Sequence, residues 1–143
     1  MEYDKSEWDG AAVEAALDVS SFRKVCLLDL NGYEGQEGDP TKALCKLPYK
    51  KSPDAAPNLA AIRAIAGGHG IGAVKRPDGV PEEFYNKKLS GAKARFETMR
   101  AAALDSKVEQ VIEMVQLLTA TVERLSGAIA AVASDVKEIK LYG

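Results

Sequence analysis

Residues 108–139 read VEQVIEMVQLLTATVERLSGAIAAVASDVKEI. Counted in sevens, Val108, Val115, Val122, Ile129 and Val136 share one inner position, and Val111, Leu118, Leu125, Val132 and Ile139 share the next. An apolar period of 3.5 residues, kept without polar interruption over more than four heptads, predicts a helix wound against other helices. At about 1.5 Å per residue that helix would be roughly 48 Å long, too long for a small N-terminal domain to cover. Burying its seam side chains is worth roughly 15–30 kcal/mol gross per chain, against an ordering cost of about 1–2 kcal/mol per residue. Alone the helix is marginal, so these ten residues are the expected oligomer interface.

The residues at and beside the seam speak to strand number. Val111, Val132 and Ile139 place β-branched side chains at the second inner position, which moves the preference from two strands towards three or four. The flanking sites are Ile112, Met114, Thr119, Thr121, Ser126, Ala128 and Ala133, with charges only at Lys107, Asp135 and Lys140. A two-stranded coil leaves such sites half in water and usually charges them, whereas a wider bundle covers them. The expected form is a parallel homotrimer or larger; a dimer, a fold-back and pairing with a different protein are the alternatives. Asp135 and Lys140 are placed for one interchain ion pair, worth about 0–1 kcal/mol.

A chain of 143 residues accommodates one domain and an extension, here 1–104 and 105–143. With 6% aromatic residues, the first part must build a largely aliphatic core. No stretch is expected to span a membrane, since the longest seam-rich apolar run, Gly127 to Ala133, falls far short of about 20 residues. Met1-Glu2-Tyr3-Asp4-Lys5 does not read as a secretory signal. Two cysteines, Cys26 and Cys45, make no disulfide framework and fit free thiols in a reducing cytosol.

The net charge of −2 hides an asymmetry. Residues 1–40 carry three Lys/Arg against ten Asp/Glu, residues 41–100 carry twelve against five, and residues 101–143 carry four against six. A basic middle block attracts nucleic acid or the acidic head of a neighbouring copy, while mutual neutralisation within one folded domain is the simpler expectation.

Along the chain, Ser6-Glu7-Trp8-Asp9 reads as a helix start with Ser6 as N-cap, leading to a helix through Leu17 with Trp8 buried. Lys24–Leu30 and Ala43–Tyr49 read as two strands, with Cys26, Leu28 and Leu30 on one core face and Ala43, Cys45, Leu47 and Tyr49 on the other. Pro48 makes the second strand an edge or ends it. The glycine-punctuated acidic loop between them is mobile unless something holds it. A short helix from about Asn58 buries Leu59, Ile62 and Ile65, and the glycines from Gly67 stop it in the left-handed conformation. Arg76-Pro77-Asp78-Gly79 is a turn. Pro81, Glu82 and Glu83 then open a longer helix carrying Phe84, Leu89, Phe96 and Met99, bent at Ser90-Gly91 or restarted at Ser106-Lys107-Val108-Glu109. The expected class is α+β: a small two-stranded sheet with helices, followed by a long C-terminal coiled-coil helix.

No catalytic set emerges. The run Gly67-Gly68-His69-Gly70-Ile71-Gly72 follows a helix, not a strand, and lacks the Gly-Lys-Ser/Thr of a phosphate loop. His69, the only histidine, has no nucleophile arrangement beside it and reads as a turn residue. Cys26 and Cys45 with one histidine do not complete a zinc set and read as small packed hydrophobes; no metal or cofactor is expected. Lys87, Lys88, Lys93, Arg95 and Arg100 on the helix after Pro81 are candidates for docking or phosphate contacts. Without aromatic interleaving, nucleic acid is not the favoured partner.

Trp8-Asp9-Gly10, Lys24-Val25-Cys26-Leu27-Leu28-Asp29, Cys45-Lys46-Leu47-Pro48, Asn58 with its alanine-rich helix, and Pro81 with the basic helix to Arg100 together resemble a small module of tailed-phage head-morphogenesis proteins. That module often accompanies prohead maturation proteases and related virion proteins, and the resemblance covers roughly residues 6–103. It implies a phage or prophage origin, a place in the virion, assembly in the host cytoplasm, and a capsid or other virion protein as partner. The family's peptidase, with its histidine and serine nucleophile, lies on a separate fold that this chain does not contain. No catalytic residue carries over, and a non-enzymatic structural part is expected.

Overall fold

A computed structural model describes the backbone of residues 2–142 and the side chains of residues 2–139. The chain divides into two compact units, Met1–Ala103 and Leu104–Gly143. The fold is α+β, with a two-stranded antiparallel sheet, helices and a long C-terminal helix.

The first unit opens on two short helices, α1 (Gly10–Ala16) and α2 (Val19–Val25), each started by an aspartate. Asp9 accepts from the Ala12 N–H at 3.1 Å, and Asp18 from the Ser21 N–H at 2.7 Å. Asp9 is thus the cap itself, and the helix starts later than the Ser6 reading placed it. Ser6 is taken up elsewhere, its N–H and hydroxyl both donating to the Asp4 carboxylate. Trp8 is half-buried, and Gly10 sits against its indole and Pro48.

The sheet is shorter than expected. Strand β1 (Cys26–Asp29) pairs with β2 (Cys45–Pro48) in the register Leu28 to Lys46 and Asp29 to Cys45. Lys24 and Val25 belong to α2, and Lys42–Leu44 form a 3-10 turn. Alternation fails in β1 because both Leu27 and Leu28 are buried, as in a strand covered on both faces. In the second strand only Cys45 is fully buried, and Ala43 is exposed. Pro48, which has no N–H to give a ladder, ends β2 as expected.

The acidic loop between the strands is held by Asn31, with Gln36 accepting from the Gly32 N–H. Asn31, buried at 4% exposure, donates to Asp29 and to the Thr41 carbonyl and accepts from the Thr41 N–H and Gln36 amide. Gly32, Gly35 and Gly38 take positive φ and let the chain turn around this peg.

Asn58 caps α3 (Leu59–Ala66) by accepting from the Ala61 N–H, and its amide donates to the Ser6 carbonyl. Ile62 and Ile65 are buried and Leu59 is half-buried. The left-handed stop after α3 is not what forms. Gly67 has φ −75°, and the required glycine is Gly70, where a Cβ would lie 1.9 Å from the Ile65 carbonyl oxygen. Gly79, at φ 88°, makes the turn before Pro81.

Helix α4 (Glu82–Tyr142) starts with Glu82 and Glu83 in its first turn and is continuous through Ser90-Gly91 and Ser106. The restart at Ser106 does not occur. Within the first unit it buries Tyr85, Ala92, Phe96 and Ala103, with Phe84, Leu89 and Met99 half-buried. The main core joins these to Leu27, Leu28, Leu30, Ile62, Ile65 and Val80. A second cluster joins Val13, Phe22, Val25, Cys26 and Cys45.

Candidate functional site

All ten predicted seam residues lie on α4 and are exposed, from 46% at Val136 to 69% at Ile129 and Ile139. Their alignment follows from the heptad, which keeps one stripe on one side of a helix. Leu104, 61% exposed, occupies the seam register seven residues before Val111 and extends the stripe. Ile112, Met114 and Leu117, also exposed, widen it. Leu117 lies outside the seven-residue count, so the seam pattern passed over it. Farther along, Leu125, Ala128, Ile129, Val132 and Ala133 border an apolar hollow of about 350 Å³. Such a stripe can pack; it holds no group able to transfer protons or bind metal. The proposed partner of Asp135, Lys140, has its side chain outside the described residues.

The expectation that no stretch could cross a membrane is corrected. Helix α4 contains an eighteen-residue window long and apolar enough to do so by length and composition, none of it buried. Leu117 and the alanines between the seam positions raise the average that a count of seam residues overlooks. Every such window in residues 105–139 with at most two charges holds Glu123 and Arg124 near its centre. Each charge there costs roughly 2.5–3.5 kcal/mol at the centre of a bilayer, which weighs against a membrane span.

The five basic candidates are all exposed and do not act alike. Arg95 donates to the Leu27 carbonyl at 2.5 Å, tying α4 to β1. Lys88 lies 5.5 Å over the Phe84 ring, and Arg100 is 3.9 Å from Glu97. Lys87 and Lys93 make no ion pair among the described residues. Beside Arg95, a cleft of about 370 Å³ is lined by Leu27, Tyr49, Lys50, Pro57, Thr98 and Met99.

Cys26 and Cys45 are buried and free. The Cys45 thiol against Cys26, together with burial, pushes the Cys26 thiol far above its usual range, which suppresses its thiolate. Burial would raise the Asp29 carboxyl, but the Arg23 guanidinium at 2.8 Å and the Asn31 donors outweigh it and hold Asp29 below the usual range. His69 is exposed beside a cleft of about 220 Å³ that also touches Trp8, Leu47 and Pro48. Among the described residues no three His, Cys, Asp or Glu side chains converge on a metal site.

No protein-family model, no curated protein and no solved structure matches this chain. The likeness to the phage module therefore rests on the short motifs quoted above.

Proposed function

We propose that this chain is a non-enzymatic virion or head-assembly protein of a tailed phage, gathered into a homo-oligomer through α4 and docking on capsid protein through its first unit. One observation carries the oligomer: ten aligned aliphatic side chains, each about half exposed or more, on a single helix. Monomeric soluble proteins rarely leave so long an apolar stripe in water. The virion assignment draws on the module resemblance. Lys87 and Lys93 on the exposed face of the basic block are the docking residues this reading favours. Assembly takes place in the host cytoplasm.

The test is to purify particles from an infected or induced culture and count this chain in them. A fixed copy number per particle is expected, and its absence from proheads and virions alike would remove the assignment. The basic block, with twelve Lys/Arg against five Asp/Glu, favours one second reading, a nucleic-acid-binding accessory protein. That reading requires DNA affinity to fall steeply with salt as counterions are released. Absent or salt-independent binding excludes it.

A further inference from the structure

Residues beside the seam bear on which way neighbouring helices run. In the first half of the stretch the inner residues are four valines and Leu118, and the flanks are Ile112, Met114, Thr119 and Thr121, the first two bulky. In the second half the inner residues are Leu125, Ile129, Val132, Val136 and Ile139, while the uncharged flanks shrink to Ser126, Ala128 and Ala133. The shrinkage appears as relief, in the hollow bordered by Leu125, Ala128, Ile129, Val132 and Ala133.

Parallel copies would set bulky flank on bulky flank at one end and small on small at the other. Close packing resists both the overfilled end and the underfilled one. Reversal sets the bulky half of each copy against the small half of the next. With full overlap Val108 meets Ile139, Val115 meets Val132, and Leu118 meets Ile129, directly over the hollow. It gives up the Asp135–Lys140 pair, which only parallel copies make, and instead brings Lys107 to the end of the neighbour that carries Asp135, two oppositely charged residues at the same heptad position. Parallel copies would hold them roughly 42 Å apart along the axis.

From this complementarity of size and charge we infer that adjacent copies of this chain pack antiparallel along residues 108–139, with Leu118 of one seated in the hollow around Ile129 of its neighbour. The inference rests on the self-association proposed above and adds its direction. Opposed neighbours close into a ring only in even numbers, so four helices satisfy both the reversal and the breadth of the apolar face. This replaces the parallel three-stranded form that the inner positions alone favour.

The test uses the full chain. Leu118→Cys and Ile129→Cys copies are co-expressed and oxidised with diamide, and the cross-linked peptides are identified by mass. The native thiols are buried. Antiparallel packing yields Leu118–Ile129 cross-links as the main product; parallel packing yields the two same-site products and overturns the inference alone. A second measurement leaves the seam untouched: Asp105→Cys copies carry a donor dye and Glu138→Cys copies a short-range acceptor. High transfer is expected, and transfer at background in an assembly of confirmed mass again means parallel packing. A single-chain mass with no cross-link in either direction defeats the self-association itself. Co-flotation with phosphatidylcholine–phosphatidylglycerol vesicles, with loss of cross-links, assigns the stripe to lipid and overturns both.

Discussion

Val25 and Val80 are 0% and 1% exposed, whereas Val108 and Val122 are 50% and 60% exposed. The same side chain lives under two regimes in one protein. In the first unit, two short strands, three short helices and the start of α4 bury their apolar residues among themselves. In Leu104–Gly143 a single helix carries a comparable series of aliphatic residues with no second layer. A layer architecture closes a core only when every apolar face finds another. The first unit does this within the chain; for the second, the function proposed above has another copy supply the missing face.

The contrast is broken most strongly by placing charge in the seam. Leu118→Asp with Ile129→Asp should reduce the assembly to single chains, because an unpaired buried charge costs about 3–5 kcal/mol. The first unit should melt as before when followed by Trp8 fluorescence. An unchanged mass would mean that the seam does not hold the copies together.

The first unit has the opposite sensitivity. Leu28→Ala, at a site 1% exposed, should cost roughly 2–5 kcal/mol in denaturant unfolding, whereas Leu117→Ala, 70% exposed, should stay within about 0.5 kcal/mol in the separated chain. Asn58→Ala removes the α3 cap and leaves the Ser6 carbonyl without its donor, for a loss of about 1–3 kcal/mol.

Acid sharpens the comparison further. The Ser6 hydroxyl and N–H, then the Asn58 amide, hold the Asp4 carboxyl at about 2, and Asp29 is also held below its usual range. Both therefore stabilise the fold above the usual carboxylate range near 3.8, and the contribution is lost as pH falls below that range, for Asp4 through about 2. Melting of the first unit should drop between pH 5 and pH 2.5, and Asp4→Asn should flatten the dependence. The smallest effect is expected at Tyr3, whose buried hydroxyl has no hydrogen-bond partner among the described residues. Tyr3→Phe should leave stability unchanged or slightly raised.

How much of this was legible in the sequence differs between the two regions for the same physical reason. The C-terminal helix depends on a long local period, so the helix and the side its aliphatic residues share could be read directly, while the off-period Leu117 and the early Leu104 were passed over. In the first unit the signals are short and tertiary contacts override them. Val25 fits the pattern of a strand yet ends α2, and Leu27 is buried on the face that alternation assigns to water. Asn58 was legible as a cap because its chemistry is local. Asn31 was not legible as the peg of the acidic loop, since its Thr41 partners lie ten residues away. Arg95 reads in the sequence as a docking or phosphate candidate; its bond to the Leu27 carbonyl depends on two elements meeting.

Light scattering on the intact chain at micromolar concentration tests the central claim most directly. The account predicts a mass that is a whole multiple of 15.3 kDa, two or greater. A mass of 15.3 kDa, unchanged as concentration rises, would contradict it.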